Sequence, residues 1–272
     1  MRSRGWVLVA LHLLPLGSLV AFMLLVVMFA KEPPGWLEPM RCWSPPSWDR
    51  LLGCGEGGVN LIHFVAHAGL YGMMLASIVA SVSFLLGTLV GSMAALLQGY
   101  AERVVSRACD IIQSFPTFLL AISLLSIVQS PARIHLAFIF LLTEWVPFAR
   151  LALTQTKVLR CAGFVEAAYA LGLNHGQVMW RHLLPNMLSV LAVQWGSSAA
   201  SVIIMESSLA FVGVGPRDGM ALGVLLDQGI VSMLRAPHVL LVGSLTIFMT
   251  KISFLLAGQA LDVHVRVFRS HA

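Results

Sequence analysis

Four stretches of this chain run for more than twenty residues without an aspartate, glutamate, lysine or arginine. They are Gly5–Ala30 (26 residues), Gly57–Ala101 (45), Ile111–Ala132 (22) and His182–Met205 (24). A helix needs about 20 apolar residues to cross the hydrocarbon of a bilayer, so each run is long enough. Charged residues make up 11% of the 272 positions, where soluble domains carry roughly 25%. Two further segments, Ile134–Leu153 with Glu144 and Arg150 and Ala236–Leu261 with Lys251, are apolar enough to span around their charges. The expectation is an all-α membrane protein of about six transmembrane helices, near 6–29, 68–98, 108–129, 134–154, 186–212 and 238–261.

The opening "MRSRGW" followed by apolar sequence also suits a signal peptide. Its apolar part exceeds the usual core of about 7–15 residues and no small-x-small cleavage site follows, so a retained first helix is expected. With both termini cytoplasmic, the inner side carries Arg2, Arg4, Arg103, Arg107, Arg150, Lys157, Arg160, Arg181, Arg266 and Arg269. The outer side carries Lys31, Arg41, Arg50, Arg133, Arg217 and Arg235. That bias follows the positive-inside rule, so the basic balance reports topology and calls for no nucleic-acid partner. The chain divides into a first helix with its outer loop, 1–66, and a core, 67–272.

The outer loop is rich in proline, and its Trp36, Trp43 and Trp48 suit lipid headgroups. It holds Cys42 and Cys54, which an oxidising compartment can join as a disulfide, two unpaired thiols being the alternative. His63 and His67 have the i, i+4 spacing of metal ligands but lack a third donor. The second span, "ASIVASVSFLLGTLVGSMAALLQG", is dense in Gly, Ala and Ser, residues that let helices pack closely in lipid. Glu144 and Glu206 lie within spans, where a carboxylate needs a partner, for example Lys251 or a helix of a second subunit. Arg107 and Asp110, three apart, can form a local ion pair or hold the inner ends of two spans together.

Between the fourth and fifth spans lies "GFVEAAYALGLNHGQVMWRHLLPN", residues 163–186. Phe164, Ala167, Ala168 and Leu171 recur at i, i+3, i+4 and i+7, an apolar stripe on a short helix. Gly172 can end that helix with a positive φ, Asn174 can cap the next, and Pro185 suits the first turn of the fifth span. These residues predict an elbow on the inner face, too short and polar to cross.

The elbow resembles the EAA signature of bacterial ABC-importer permeases: Glu166, Ala167, Ala168, then Gly172, His182, Leu184 and Pro185 at the family's spacing. "RHLLPN" is similar to the "RHILPN" of the peptide and nickel permeases. Elsewhere Arg107 and Asp110 match an Arg-x-x-Asp pair, and "EWVPFAR" resembles the end of the family's fourth span. "ESSLAFVGVG" resembles "EASLSFLGLG", which places Glu206, Ser207, Phe211, Gly213 and Gly215 on family positions. "LGCGEGGVN" resembles the outer loop of the C-type subunit.

The resemblance implies a type I importer permease fold whose elbow is a coupling helix. It implies a second permease, two cytoplasmic ATP-binding subunits or domains and an external solute-binding protein, in a bacterial cytoplasmic membrane. Peptides, nickel or a related solute would be the cargo. ATP and magnesium would sit on the partner ATPase, since no lysine here follows a glycine as a P-loop needs, and this chain would hold no cofactor and catalyse nothing alone. The departures, such as Gly55, Val59 and Asn60 and the segment "GPRDGMALG", lie mostly on the outer side. The alternatives are a proton-coupled carrier using Glu206 and a non-transporting scaffold.

Overall fold

A bilayer offers no water to backbone N–H and C=O groups, so an apolar chain within it closes its hydrogen bonds inside helices. The computed structural model places most of each long apolar run in helices. It describes residues 2–30, 36–128, 131–216 and 218–269, with the side chains of 2–8 and 267–269 left aside. Lys31 and Arg217, two of the outer-side cations counted above, lie outside the described residues.

The helices are α1 (Arg2–Phe29), α2 (Leu61–Leu97), α3 (Gly99–Gln113), α4 (Thr117–Ser126), α5 (Arg133–Leu159), α6 (Gly163–Ala170) and α7 (His175–Val178). A π turn, Met179–Leu183, joins α7 to α8 (Leu184–Phe211), and α9 (Leu222–Val231) and α10 (Pro237–Arg269) complete the chain. Among the described residues, five helical segments are long and apolar enough to cross a membrane. A sixth crossing results if α3 and α4 are taken as one bent span.

That bent pair corrects the expected span at 108–129. Gln98 and Gly99, with φ of 55° and 57°, break the chain away from α2. α3 then begins at Gly99 and is amphipathic, carrying Glu102, Arg103, Arg107 and Asp110. Pro116 has no N–H to continue the helix and disfavours helical backbone at Phe115. α4 therefore departs from α3 at 75°. The start of α2 also differs from expectation: Asn60 accepts the Ile62 N–H at 3.2 Å, so the helix begins at Leu61 and the 66/67 boundary falls inside it.

Small residues set the helix spacing, as the composition of the second span led one to expect. Gly87 and Gly91 of α2 face the backbone of α5, where a Cβ at either position would collide with Trp145, Phe148 or Ala149. A Cβ on Gly196 of α8 would lie 2.8 Å from the Gly258 Cα of α10. Such contacts let backbones approach until dispersion holds helices together where the hydrophobic effect is absent.

The loop between α1 and α2 is organised by Arg50, whose side chain is buried. Its guanidinium meets Glu38 at 2.8 Å, the Gly58 carbonyl at 3.2 Å and Cys54 Sγ at 3.4 Å. Cys42 and Cys54 are both free thiols, so the disulfide considered above is not formed. The Cys54 thiol turns to Arg50, while Cys42 follows the short 3-10 turn Pro39–Arg41. His238, at the start of α10, reaches the Cys54 carbonyl at 3.3 Å and docks the loop on the bundle. Trp36 and Trp48 are exposed, whereas Trp43 packs on the core.

Candidate functional site

The elbow is built from local signals. Leu173 N–H bonds the Ala168 carbonyl at 3.1 Å and Gly172 N–H bonds that of Tyr169 at 2.9 Å. This paired closure requires a left-handed residue, and Gly172 supplies it with φ of 84°. Asn174 then opens α7: its Oδ1 accepts the Gln177 N–H and Gln177 Oε1 accepts the Asn174 N–H, each at 2.9 Å. Tyr169 Oη meets His175 Nδ1 at 2.9 Å across the turn, and burial pushes the Tyr169 phenol up, so it stays neutral. Arg160 fixes the near arm by donating to the Ala95 carbonyl at 2.9 Å.

The far arm departs from expectation. Pro185 does not begin a separate span, because α7 runs through the π turn into α8 as one helix, His175–Phe211. Leu184 N–H bonds the Met179 carbonyl five residues back, and that wider turn admits Pro185, which has no N–H to offer. Leu184, Pro185 and His182 are half-buried, and the His182 ring lies 6.4 Å from that of Phe164.

The four-residue stripe on α6 also divides. Val165 and Ala168 point inward and pack with Val178, Met179, Leu183 and the end of α2 at Leu96. Phe164, Ala167 and Leu171 point out, Phe164 being 42% and Leu171 82% exposed. Ala168 thus belongs to the inner face, and the outward face is Phe164–Ala167–Leu171 at i, i+3 and i+7. Trp180, 52% exposed, adds a further apolar surface in the π turn. Glu166 is exposed at the rim of a cavity of about 360 Å³ shared with Gln98, Arg160, Tyr169 and His175. The elbow is therefore a rigid, own-chain-packed platform presenting bulky apolar groups outward.

Beside it, α3 and α5 are pinned by charge. Lys157 meets Glu102 at 2.5 Å, and Arg150 meets Asp110 at 2.6 Å. Arg107, expected to be the partner of Asp110, stands 3.8 Å away and is largely exposed. The tie between the two helices is Arg150–Asp110, with Arg107 subsidiary.

At the opposite end of α8 the structure assembles a cluster around Arg133, the first residue of α5. Its guanidinium makes paired bonds of 3.0 Å to Asp218, donates to the Met220 carbonyl at 2.7 Å and stands 3.5 Å from Glu206. It also lies 4.3 Å from the Tyr71 ring centroid. Glu206 is buried, and its Oε2 lies where a Cβ on Gly72 would be 2.7 Å away. Its partner is thus Arg133 and not Lys251, while Glu144 accepts the Ser198 hydroxyl at 2.5 Å. Gly213, with φ of 82°, turns the chain just past the end of α8 at Phe211, Gly215 packs on Ala210, and Phe211 is at the surface. His63 and His67 are half-buried on α2, and among the described residues no three His, Cys, Asp or Glu side chains converge as a metal site. Arg133, Tyr71 and Asp218 carried no signal that sequence spacing could reveal.

The bundle thus carries an inward-packed elbow at one end of α8 and, at the other, an ion cluster built around the buried Glu206. Residues 87–267 match the family described as binding-protein-dependent transport system inner membrane component, and the chain belongs to that family. It is 34% identical over 181 residues to a glutathione transport system permease protein, GsiD, of Pectobacterium atrosepticum, covering 66% of this chain and 60% of the relative. It is 26% identical over 258 residues to the oligopeptide transport system permease protein OppC of Haemophilus influenzae, covering 90% and 81%. GsiD of Shigella dysenteriae is 34% identical over 167 residues, 60% of this chain and 54% of the relative. The chain thus spans between about half and four fifths of the relatives it matches.

Proposed function

We propose that this chain is the C-type permease subunit of an ATP-driven importer and forms half of a path for peptides or a related small solute. The observation that carries the proposal is the two-sided elbow. One face, Val165 and Ala168, is buried in the chain's own core, and the other, Phe164, Ala167 and Leu171, is apolar and uncovered. An open apolar face on a short helix marks an interaction surface, and in this proposal a second protein occupies it. Family membership supports that protein being a cytoplasmic ATPase, which would bind ATP and magnesium. It also supports a second permease and an external solute-binding protein as companions, with the elbow and both termini in the cytoplasm. The names of the relatives, for glutathione and oligopeptide transport, favour a peptide over nickel as cargo.

In this account Gly172 sets the angle between the arms, the π turn transmits their movement into α8, and Glu166 orients the docked surface. The test is purification of the chain from native membranes, wild type beside Gly172→Trp. Position 172 has open space around it, and its φ of 84° disfavours any side chain, so tryptophan distorts the turn without disturbing the core. Wild type is expected to bring down an ATPase and a second permease, and the variant the permease alone. Absence of an ATPase from both would remove the reading.

A further inference from the structure

An apolar cleft of about 380 Å³ opens on the flank of the bundle, away from both the elbow's outward face and the Arg133 cluster. Phe84 and Leu85 of α2, Leu188 and Trp195 of α8, and Leu261 and Val265 of α10 line it. All three helices are long and apolar enough to cross a membrane, and the lining is almost wholly apolar, as a lipid-facing cleft requires. Its polar atoms are already used: Trp195 Nε1 donates to Ser81 Oγ at 3.1 Å. A ligand in this cleft finds methylene and aromatic surface only, the surface that an acyl chain fills by dispersion.

A charged group adjoins the lining residues. Leu188, Leu261 and Val265 are each followed in sequence by a polar residue: Ser189, Asp262 and Arg266. Arg266 Nε donates to Asp262 Oδ1 at 2.8 Å and to Ser189 Oγ at 3.2 Å, and Ser189 also bonds Asp262. Among the described residues, all hydrogen bonds of Arg266 run through Nε, and its side chain is 70% exposed. The guanidinium is held by one edge, and its two terminal nitrogens are left as a fork of the geometry that receives a phosphate. Ser189 lies one turn into α8 from Leu184, and Arg266 lies near the end of α10. Both lie toward the elbow end of the bundle, joined by the Arg266–Ser189 bond, and a long cationic side chain near the end of a span reaches toward headgroups.

We propose that the cleft and Arg266 form a binding site for an anionic phospholipid, with an acyl chain along Trp195 and the phosphate on the free edge of Arg266. The site stands independently of the transport reading and requires only that the chain be embedded in a bilayer.

Trp195 makes the test direct. The full chain is reconstituted in phosphatidylcholine vesicles containing either acyl-brominated phosphatidylglycerol or acyl-brominated phosphatidylcholine. Quenching at Trp195 is read as the difference between each protein and its Trp195→Phe counterpart. An unpaired basic side chain favours an anionic lipid by about five-fold, and the Asp262 carboxylate on Arg266 reduces that. Half-quenching is therefore expected at a mole fraction about two- to five-fold lower for phosphatidylglycerol. Arg266→Gln is expected to make the two lipids equal, and Arg266→Lys to keep part of the preference. Ala192→Phe, which fills the cleft from α8, is expected to remove quenching by both. The wild-type comparison needs only the conservative Trp195→Phe counterpart to fold. Equal half-quenching in wild type, or a preference that survives Arg266→Gln, overturns the proposal. So does a Trp195 that neither lipid reaches, which would mean that protein covers the cleft.

Discussion

Replacing Leu171 with aspartate is expected to abolish capture of the ATPase while leaving the chain folded and paired with a second permease. The side chain is 82% exposed and touches little of its own protein, so the bundle loses almost nothing. In a docked complex the same position becomes buried, and the new carboxylate would have to shed its water against apolar surface without a partner. Truncating or charging an anchor of this kind costs about 2–4 kcal/mol, or roughly 30- to 1,000-fold in affinity. The amount of ATPase recovered per chain should fall accordingly, and ATP-driven uptake with it. The melting temperature of the purified permease should stay within a degree or two of wild type. Ala168→Asp is the informative contrast: Ala168 is buried in the elbow's own core, so that variant should fail by unfolding the elbow. If Leu171→Asp binds the ATPase normally, the outward face of α6 is not the docking surface.

The second large effect is expected at the other end of α8. Arg133→Met should destabilise the fold by about 3–5 kcal/mol, because it leaves the buried Glu206 carboxylate without its cation. Arg133 also holds Asp218 and the Met220 carbonyl, so the loop from α8 to α9 should loosen in the same variant. The double variant Arg133→Met with Glu206→Gln removes both charges and should recover most of the loss, as buried pairs replaced together usually do. Asp218→Asn should cost no more than about 1 kcal/mol, since that carboxylate is half exposed to solvent. Thermal unfolding of the four proteins in one detergent reads the series. A single Arg133 variant as stable as wild type would show that Glu206 is satisfied some other way. It would also reopen the reading of Glu206 as a proton carrier.

Which parts of this architecture sequence makes visible follows from how far apart the interacting residues lie. The spans and the elbow rest on contiguous composition and on local closures, such as Gly172 with Asn174, and were legible for that reason. The expected span at 108–129 runs straight through Pro116, where the helix in fact breaks. The early start at Gly99 depends on the left-handed Gln98–Gly99 pair, and Gln98 is not a residue type that announces one. The inward turn of Ala168 was hidden because α6 is apolar on both sides, so periodicity could not choose a face. Pro185 suggested a helix start, and only the π turn before it lets the helix pass through. Arg133 finds Glu206 across 73 residues and Asp218 across 85, separations at which spacing carries no information.

The most direct test of the central claim is a photoactivatable cross-linking residue placed at position 171, irradiated in native membranes, with the adduct identified by mass. The account predicts an adduct with a nucleotide-binding ATPase, absent when the same residue replaces the buried Val178 on the elbow's inner side. An adduct only with lipid or with the permease partner would contradict it, and the elbow would then be a membrane-surface or subunit contact.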